Sequence, residues 1–214
     1  MTVLDYVKLT TGGVSGEWYA DVTSNVEVYD NFESGTTGQG PNLTKWTVSY
    51  SGSGVTQPAT SRISTTKTPG SVMFGGTKSL EISGAGQYGS GGVTSITPIK
   101  NRHVLCCWQM RRNDASAVGA LLAPIVIAMG NATDGWITLA GPGDYYSYGP
   151  NVGTAYTQPQ TVEAIALGDD KYSLYYCGIC IAPNRSLPNG IQVSATAYWY
   201  GDLFIDNIMY SKSI

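Results

Sequence analysis

The chain is poor in charge. Of its 214 residues only 13% are Asp, Glu, Lys or Arg, about half the share of an average soluble domain. Twelve basic and 15 acidic side chains leave a formal net charge of −3, and no basic cluster exceeds Arg111-Arg112. A nucleic-acid groove needs a concentrated basic stripe, so no nucleic-acid partner is expected. Histidine is almost absent: His103 follows Lys100-Asn-Arg102 at an expected strand start and reads as a lone surface residue. A Ser-His-Asp or Cys-His nucleophile would have to use it. No Gly-x-Ser-x-Gly elbow accompanies it. Long apolar runs are missing too. The longest, Val118 to Met129, is interrupted by Pro124 and falls short of the 18 or so residues of a membrane span. Met1-Thr-Val-Leu-Asp-Tyr-Val-Lys8 has an early Asp and no apolar stretch of signal-peptide length. The expectation is a chain made inside a cell, with no membrane partner, that is retained there or leaves by lysis.

What the chain does have is a hydrophobic fraction of 42%, 27 glycines and 15 tyrosines. That is enough apolar material for a core, under a surface of Ser, Thr, Asn, Gly and Tyr. From residue 28 onward, strand patterns alternate with Gly and Pro punctuation. The expected strands are Lys45–Tyr50, Ser71–Phe74, Ser79–Ser83, Val93–Ile96, His103–Arg111, Leu121–Met129, Gly135–Leu139, Gln160–Leu167, Ser173–Ile181, Ile191–Tyr198 and Leu203–Tyr210. Helical evidence is thin, since Gly119 and Pro124 oppose anything beyond a short turn near Asp114. The count predicts an all-β chain: a two-sheet antiparallel β-sandwich over residues 28–214, preceded by an extended N-terminal arm over residues 1–27. Trp18 and Tyr19 in the arm suit docking onto another subunit. Residues 141–159 form a long Gly/Pro/Tyr loop, and loops of that length in compact domains are usually functional or interfacial.

Chemistry-bearing patterns are few. Cys106-Cys107 and Cys177-Gly-Ile-Cys180 supply four cysteines. On a strand, a vicinal pair points its thiols to opposite faces, which opposes a double C-x-x-C zinc site. Small buried hydrophobes are the first reading, with zinc, disulfide and redox roles as alternatives. No Glu-x-Asp-x-Glu triplet places paired carboxylates on one strand face, as sandwich glycanases use. Glu81 and Glu163 stand singly on expected strands. Gly84-Ala-Gly-Gln-Tyr-Gly89 matches G-x-G-x-x-G in form, but a strand rather than a helix follows. Aromatics carry more: Tyr145, Tyr146, Tyr148 and Trp199 can offer flat faces to sugar rings or to a protein partner. Trp46, Trp108 and Trp136 read as core by alternation.

Tyr29-Asp-Asn-Phe-Glu-Ser-Gly35, Trp46, Lys78-Ser-Leu-Glu-Ile-Ser-Gly84 and Leu203-Phe-Ile-Asp-Asn-Ile208 together resemble the jelly-roll carbohydrate-binding modules found beside glycanases. Such a domain also suits decoration and appendage proteins of tailed-phage virions. The resemblance implies a jelly roll with a structural calcium between its opening and closing strands. By position the ligands would be Asp30 or Asn31, Glu33, the Lys78 or Ser79 carbonyl, and Asp206. Calcium takes six to eight oxygens of these kinds.

Three functions are carried forward. The first is a non-catalytic virion structural protein, a capsid decoration or head/tail appendage located in the virion. It would dock on other virion subunits through its arm, with a homo-oligomer as a further association. The second is a calcium-stabilised carbohydrate-binding module or lectin with glycan partners. The third is a glycan-active enzyme.

Overall fold

The computed structural model describes residues 6–11, 14–19, 26–51, 60–84, 89–112, 125–140, 159–198 and 201–211. Its strands are β1 (Tyr6–Thr11), β2 (Val14–Tyr19), β3 (Val26–Asp30), β4 (Trp46–Ser51), β5 (Thr60–Ser64), β6 (Ser79–Ser83), β7 (Ser90–Ser95) and β8 (Val104–Arg112). They continue with β9 (Ile125–Asn131), β10 (Gly135–Ala140), β11 (Gln160–Gly168), β12 (Lys171–Tyr176), β13 (Ile179–Ser186), β14 (Gln192–Tyr198) and β15 (Gly201–Ser211). A single helical turn, α1 (Ser71–Phe74), lies between β5 and β6. Among the described residues no helix is long and apolar enough to cross a membrane.

The strands build an all-β jelly-roll sandwich of two antiparallel sheets. One has the order β10-β9-β14-β7-β4; the other runs β13-β12-β11-β8-β15-β6-β5, with β3 also paired to β15. Strand alternation explains the core. Val104, Cys106, Trp108 and Met110 of β8 and Val162, Ala164 and Ala166 of β11 point inward, as do Leu203 and Ile205 of β15. They meet Val93, Ile127, Met129, Val193 and Ala195 of the smaller sheet. Trp46 and Trp108 are fully buried, as alternation predicts. Trp136 departs from that expectation and is 39% exposed. It shares a parity with Thr138, while Ile137 and Leu139 take the inward positions.

β15 organises the larger sheet. One edge pairs with β8 along most of its length. The other edge is shared end to end: Asp202–Ile205 pair with β6, and Ile208–Ser211 with β3. At the seam the register shifts and Asn207 takes a positive φ of 47°.

β1 and β2 pair with each other as a two-stranded sheet and with neither sandwich sheet among the described strands. Trp18 and Tyr19 stand on β2 opposite Val7 and Tyr6; the placement of their side chains lies outside the described set.

Two expected strands took other forms. Ser71–Phe74 is α1, because the Pro69-Gly70 turn leads into 4-residue hydrogen bonds from Phe74 N to Gly70 O and from Gly75 N to Ser71 O. Gly75, at φ 72°, then ends the turn. Ser173–Ile181 is two strands, folded back at Cys177 and Gly178, with φ values of 44° and 78°. Two successive positive φ values make the tight hairpin that the right-handed twist favours. β5 was not among the expected strands, since Thr60-Ser-Arg-Ile-Ser64 holds a single apolar residue.

Candidate functional site: the outer face of the larger sheet

Residues that alternate with the core positions of the larger sheet face away from the sandwich interior. Register places them in three rows. Arg62, Glu81, Phe204 and Gln109 are neighbours across β5, β6, β15 and β8. Asp206, Cys107 and Thr161 follow across β15, β8 and β11. Leu105, Glu163, Tyr175 and Cys180 cross β8, β11, β12 and β13. An outer sheet face is ordinarily solvated and charged. This one is polar yet buried at Glu81, Gln109, Thr161, Glu163, Asp202 and Asp206. At its rim the Arg62 guanidinium, half exposed, meets Glu81 Oε1 at 2.9 Å.

Glu163 is the distinctive group on this face. It is 6% exposed and has no hydrogen-bond or ion-pair partner among the described residues. Burial pushes its carboxyl up from 4.5 to about 7. The side chains of Cys107, Tyr175 and Cys177 lie near enough to feel its charge. Groups whose pKa is strongly shifted by burial concentrate at functional sites. The sequence shows Glu163 on a strand with Thr161 and Ile165, which fixes its face. It does not show burial, which depends on what packs nearby.

The cysteines divide as a vicinal pair must. Cys106 joins the core and Cys107 takes the outer face, both buried and with thiols pushed well above their ordinary range by burial. Cys177 is buried in the β12–β13 turn, where its thiol donates to Gln160 Oε1 at 2.8 Å. Cys180 is exposed, so the buried-hydrophobe reading holds for three of the four, and all four are free thiols. His103 is half-buried rather than a free surface residue. Its Nδ1 accepts the Ala166 N–H at 2.9 Å, and burial lowers its pKa.

The four side chains read as calcium ligands are arranged otherwise than a cation needs. Asp30 is buried, with Oδ1 accepting from Phe32 N at 3.0 Å and Oδ2 from Trp46 Nε1 at 2.9 Å. Asn31 Oδ1 faces its own loop and accepts from Glu33 N at 3.4 Å. Glu33 Oε1 accepts from Thr77 N and Lys78 N, each at 2.7 Å, and Oε2 from Thr77 Oγ1 at 3.2 Å. Burial works against the Glu33 anion, but those donors outweigh it and hold its pKa below the usual value. Asp206 accepts from Gly70 N at 3.1 Å and Asn207 N at 2.8 Å. Burial, with some help from the Glu33 charge, pushes Asp206 up to about 7. Glu33 and Asp206 thus share a neighbourhood, while Asp30 and Asn31 turn elsewhere. Each named oxygen already accepts an N–H or O–H that would compete with a cation, and Asp30 and Asn31 do not converge with Glu33 and Asp206. As placed, the set does not fit calcium. Among the described residues no group of three or more His, Cys, Asp or Glu side chains is placed to hold a metal ion.

Tyr145, Tyr146, Tyr148 and Trp199, expected to contact glycans or partners, lie outside the described residues. The aromatic that the sequence reading missed is Trp136, on the outer face of the smaller sheet in register with Gly130, next to Gln192.

No protein-family model and no curated protein matches the sequence. Solved structures do. One, reported in work on endo-acting O-glycanases of human gut bacteria that initiate mucin breakdown, shares 12% identity at a TM-score of 0.51, covering 88% of this chain and 98% of that one. The likeness is one of fold. A family 11 carbohydrate-binding module from Clostridium thermocellum aligns over 89% of this chain and 97% of its own, with 13% identity and a TM-score of 0.41. The enzymatically active domain of bacteriophage CBA120 tailspike protein 4 aligns over 84% of this chain at 16% identity and a TM-score of 0.43. The present chain spans 20% of that tailspike's length.

Proposed function

We propose that this chain is a non-catalytic glycan-binding sandwich, and that the outer face of its larger sheet is the binding surface. The observation that carries the reading is Glu163, a largely buried residue whose carboxyl is pushed up to about 7 by burial, set on one sheet face with Gln109, Thr161 and Tyr175. Sugar hydroxyls both donate and accept, so they pair with amide, hydroxyl and carboxyl groups, while the half-buried Tyr175 offers apolar surface to the ring.

Glu163 and Asp206 are not spaced as a catalytic pair. They stand two strands and two residues apart on the sheet lattice, about 12 Å between backbone positions. Glycosidase carboxyl pairs are separated by roughly 5 to 9.5 Å. Both Asp206 oxygens are also held already, by Gly70 and Asn207.

For the setting we propose a tailed-phage virion, with the chain as a decoration or head/tail appendage. Among the described strands the β1–β2 hairpin pairs with neither sandwich sheet, which leaves an element for pairing with another subunit. The low charge fits dense packing in an assembly. The test of the glycan reading is affinity electrophoresis through a polysaccharide panel. Retardation of the wild type should be lost in Gln109→Leu and kept in Trp136→Ala. Retardation lost only in Trp136→Ala would move the site to the other sheet and overturn this assignment.

A further inference from the structure

β15 has a structural problem at its centre. Its neighbour along one edge changes from β6 to β3 between Ile205 and Ile208, so a seam opens beside Asp206 and Asn207. Two strands laid end to end have no ladder between them, and their junction needs some other bond. In the jelly-roll modules this chain resembles, the implied bond is calcium. Here the oxygens that would bind it are taken.

We infer that the seam is closed by a clasp made of protein alone, in which the Lys78 ammonium and the Glu33 carboxylate cross-link the loop after β3 to the start of β6 and replace a metal. The clasp is reciprocal. Glu33 reaches forward and accepts from Thr77 N, Thr77 Oγ1 and Lys78 N. Lys78 reaches back, and its Nζ donates to the carbonyls of Glu33 and Gly35, each at 2.9 Å. An ammonium on main-chain carbonyls does what a bound cation would do: it places positive charge where backbone oxygens converge. Charge-assisted hydrogen bonds of this kind are about twice as strong as neutral ones. Asp206 completes the junction from β15, holding Gly70 of the β5–β6 connection through Oδ2. A Cβ at Gly70 would lie 1.9 Å from Asn207 Nδ2, so any side chain there would force Asn207 aside. The seam is therefore packed as well as bonded.

The test is thermal unfolding of the full chain, purified in calcium-containing buffer, with EDTA or millimolar calcium added, alongside elemental analysis. The clasp predicts no stoichiometric calcium and a Tm that neither addition shifts. Lys78→Met keeps the aliphatic stem and removes the ammonium, and its Tm should fall by about 3 °C or more. Glu33→Gln, which keeps the shape and loses the charge, should fall as well and serves if Lys78→Met does not fold. Stoichiometric calcium in the wild type, or a Tm lowered by EDTA, would overturn the inference. So would a Lys78→Met protein that melts with the wild type.

Discussion

Glu163 carries a stability signature that can be read apart from any ligand. Its carboxyl is at about 7 in the folded chain against an ordinary 4.5. Between those values the folded state keeps a proton that the unfolded state releases, so stability falls as pH rises. The slope is about 1.4 kcal/mol per pH unit, and the loss levels off above pH 7 at on the order of 3 kcal/mol. Asp206 adds a similar share, being raised to about 7 as well. Urea midpoints from pH 4.5 to 8 should show Glu163→Gln with roughly half the wild-type pH slope. An unchanged slope would place the Glu163 carboxyl in water. Trp46 offers a second test. Its ring packs on Phe32 with centroids 5.8 Å apart, and its Nε1 holds buried Asp30. Trp46→Phe keeps most of the packing and strips one donor from a buried carboxylate. A loss of about 2 kcal/mol is expected from urea unfolding. The contribution of Asp30 was legible in the sequence as an acidic residue at the first strand's end, but its partner was not. Alternation identifies Trp46 as core and says nothing about which buried oxygen its indole meets across 16 residues.

Most of the strands were legible because their apolar residues alternate between Gly and Pro breaks. Ser79–Ser83 matches β6 at both ends, and β8, β10, β11, β14 and β15 agree within a residue or two. The misses share a cause. The β12–β13 hairpin turns on Cys177, which is uncommon at positive φ and gives no turn signal. β5 is held by its ladder to β6 and by Arg62–Glu81, interactions that appear only once the sheet is assembled. The β9–β10 hairpin shows the reverse, a constraint written in glycine. Gly130 has φ 142°, and a Cβ there would lie 2.2 Å from Gly135 O. Gly130→Ala should therefore destabilise the chain by several kcal/mol or prevent folding. Gly38→Ala, with φ 85° and open space around its Cβ, should cost only about 1 kcal/mol. Comparable melting of the two variants would contradict this account of the hairpin.

At the scale of the molecule stand two sheets, one buried polar face and one hairpin that pairs with neither sheet among the described strands. The sequence announced the sandwich through its strand count. It did not announce the proposed binding face, because that face draws residues from seven strands spread over about 145 positions. Deleting residues 1–24 should leave the sandwich with cooperative melting and remove its incorporation into particles, measured by mass spectrometry of purified virions. Loss of cooperative melting would make the hairpin part of the sandwich's own stability. The central claim, glycan binding at the outer face of the larger sheet, is tested most directly by amide chemical-shift mapping with an oligosaccharide from whichever polysaccharide retards the protein. The account predicts shifts clustered at Gln109, Thr161, Glu163 and Tyr175. Shifts clustered instead at Thr94, Trp136, Thr138 and Ser194, on the opposite sheet, would contradict it.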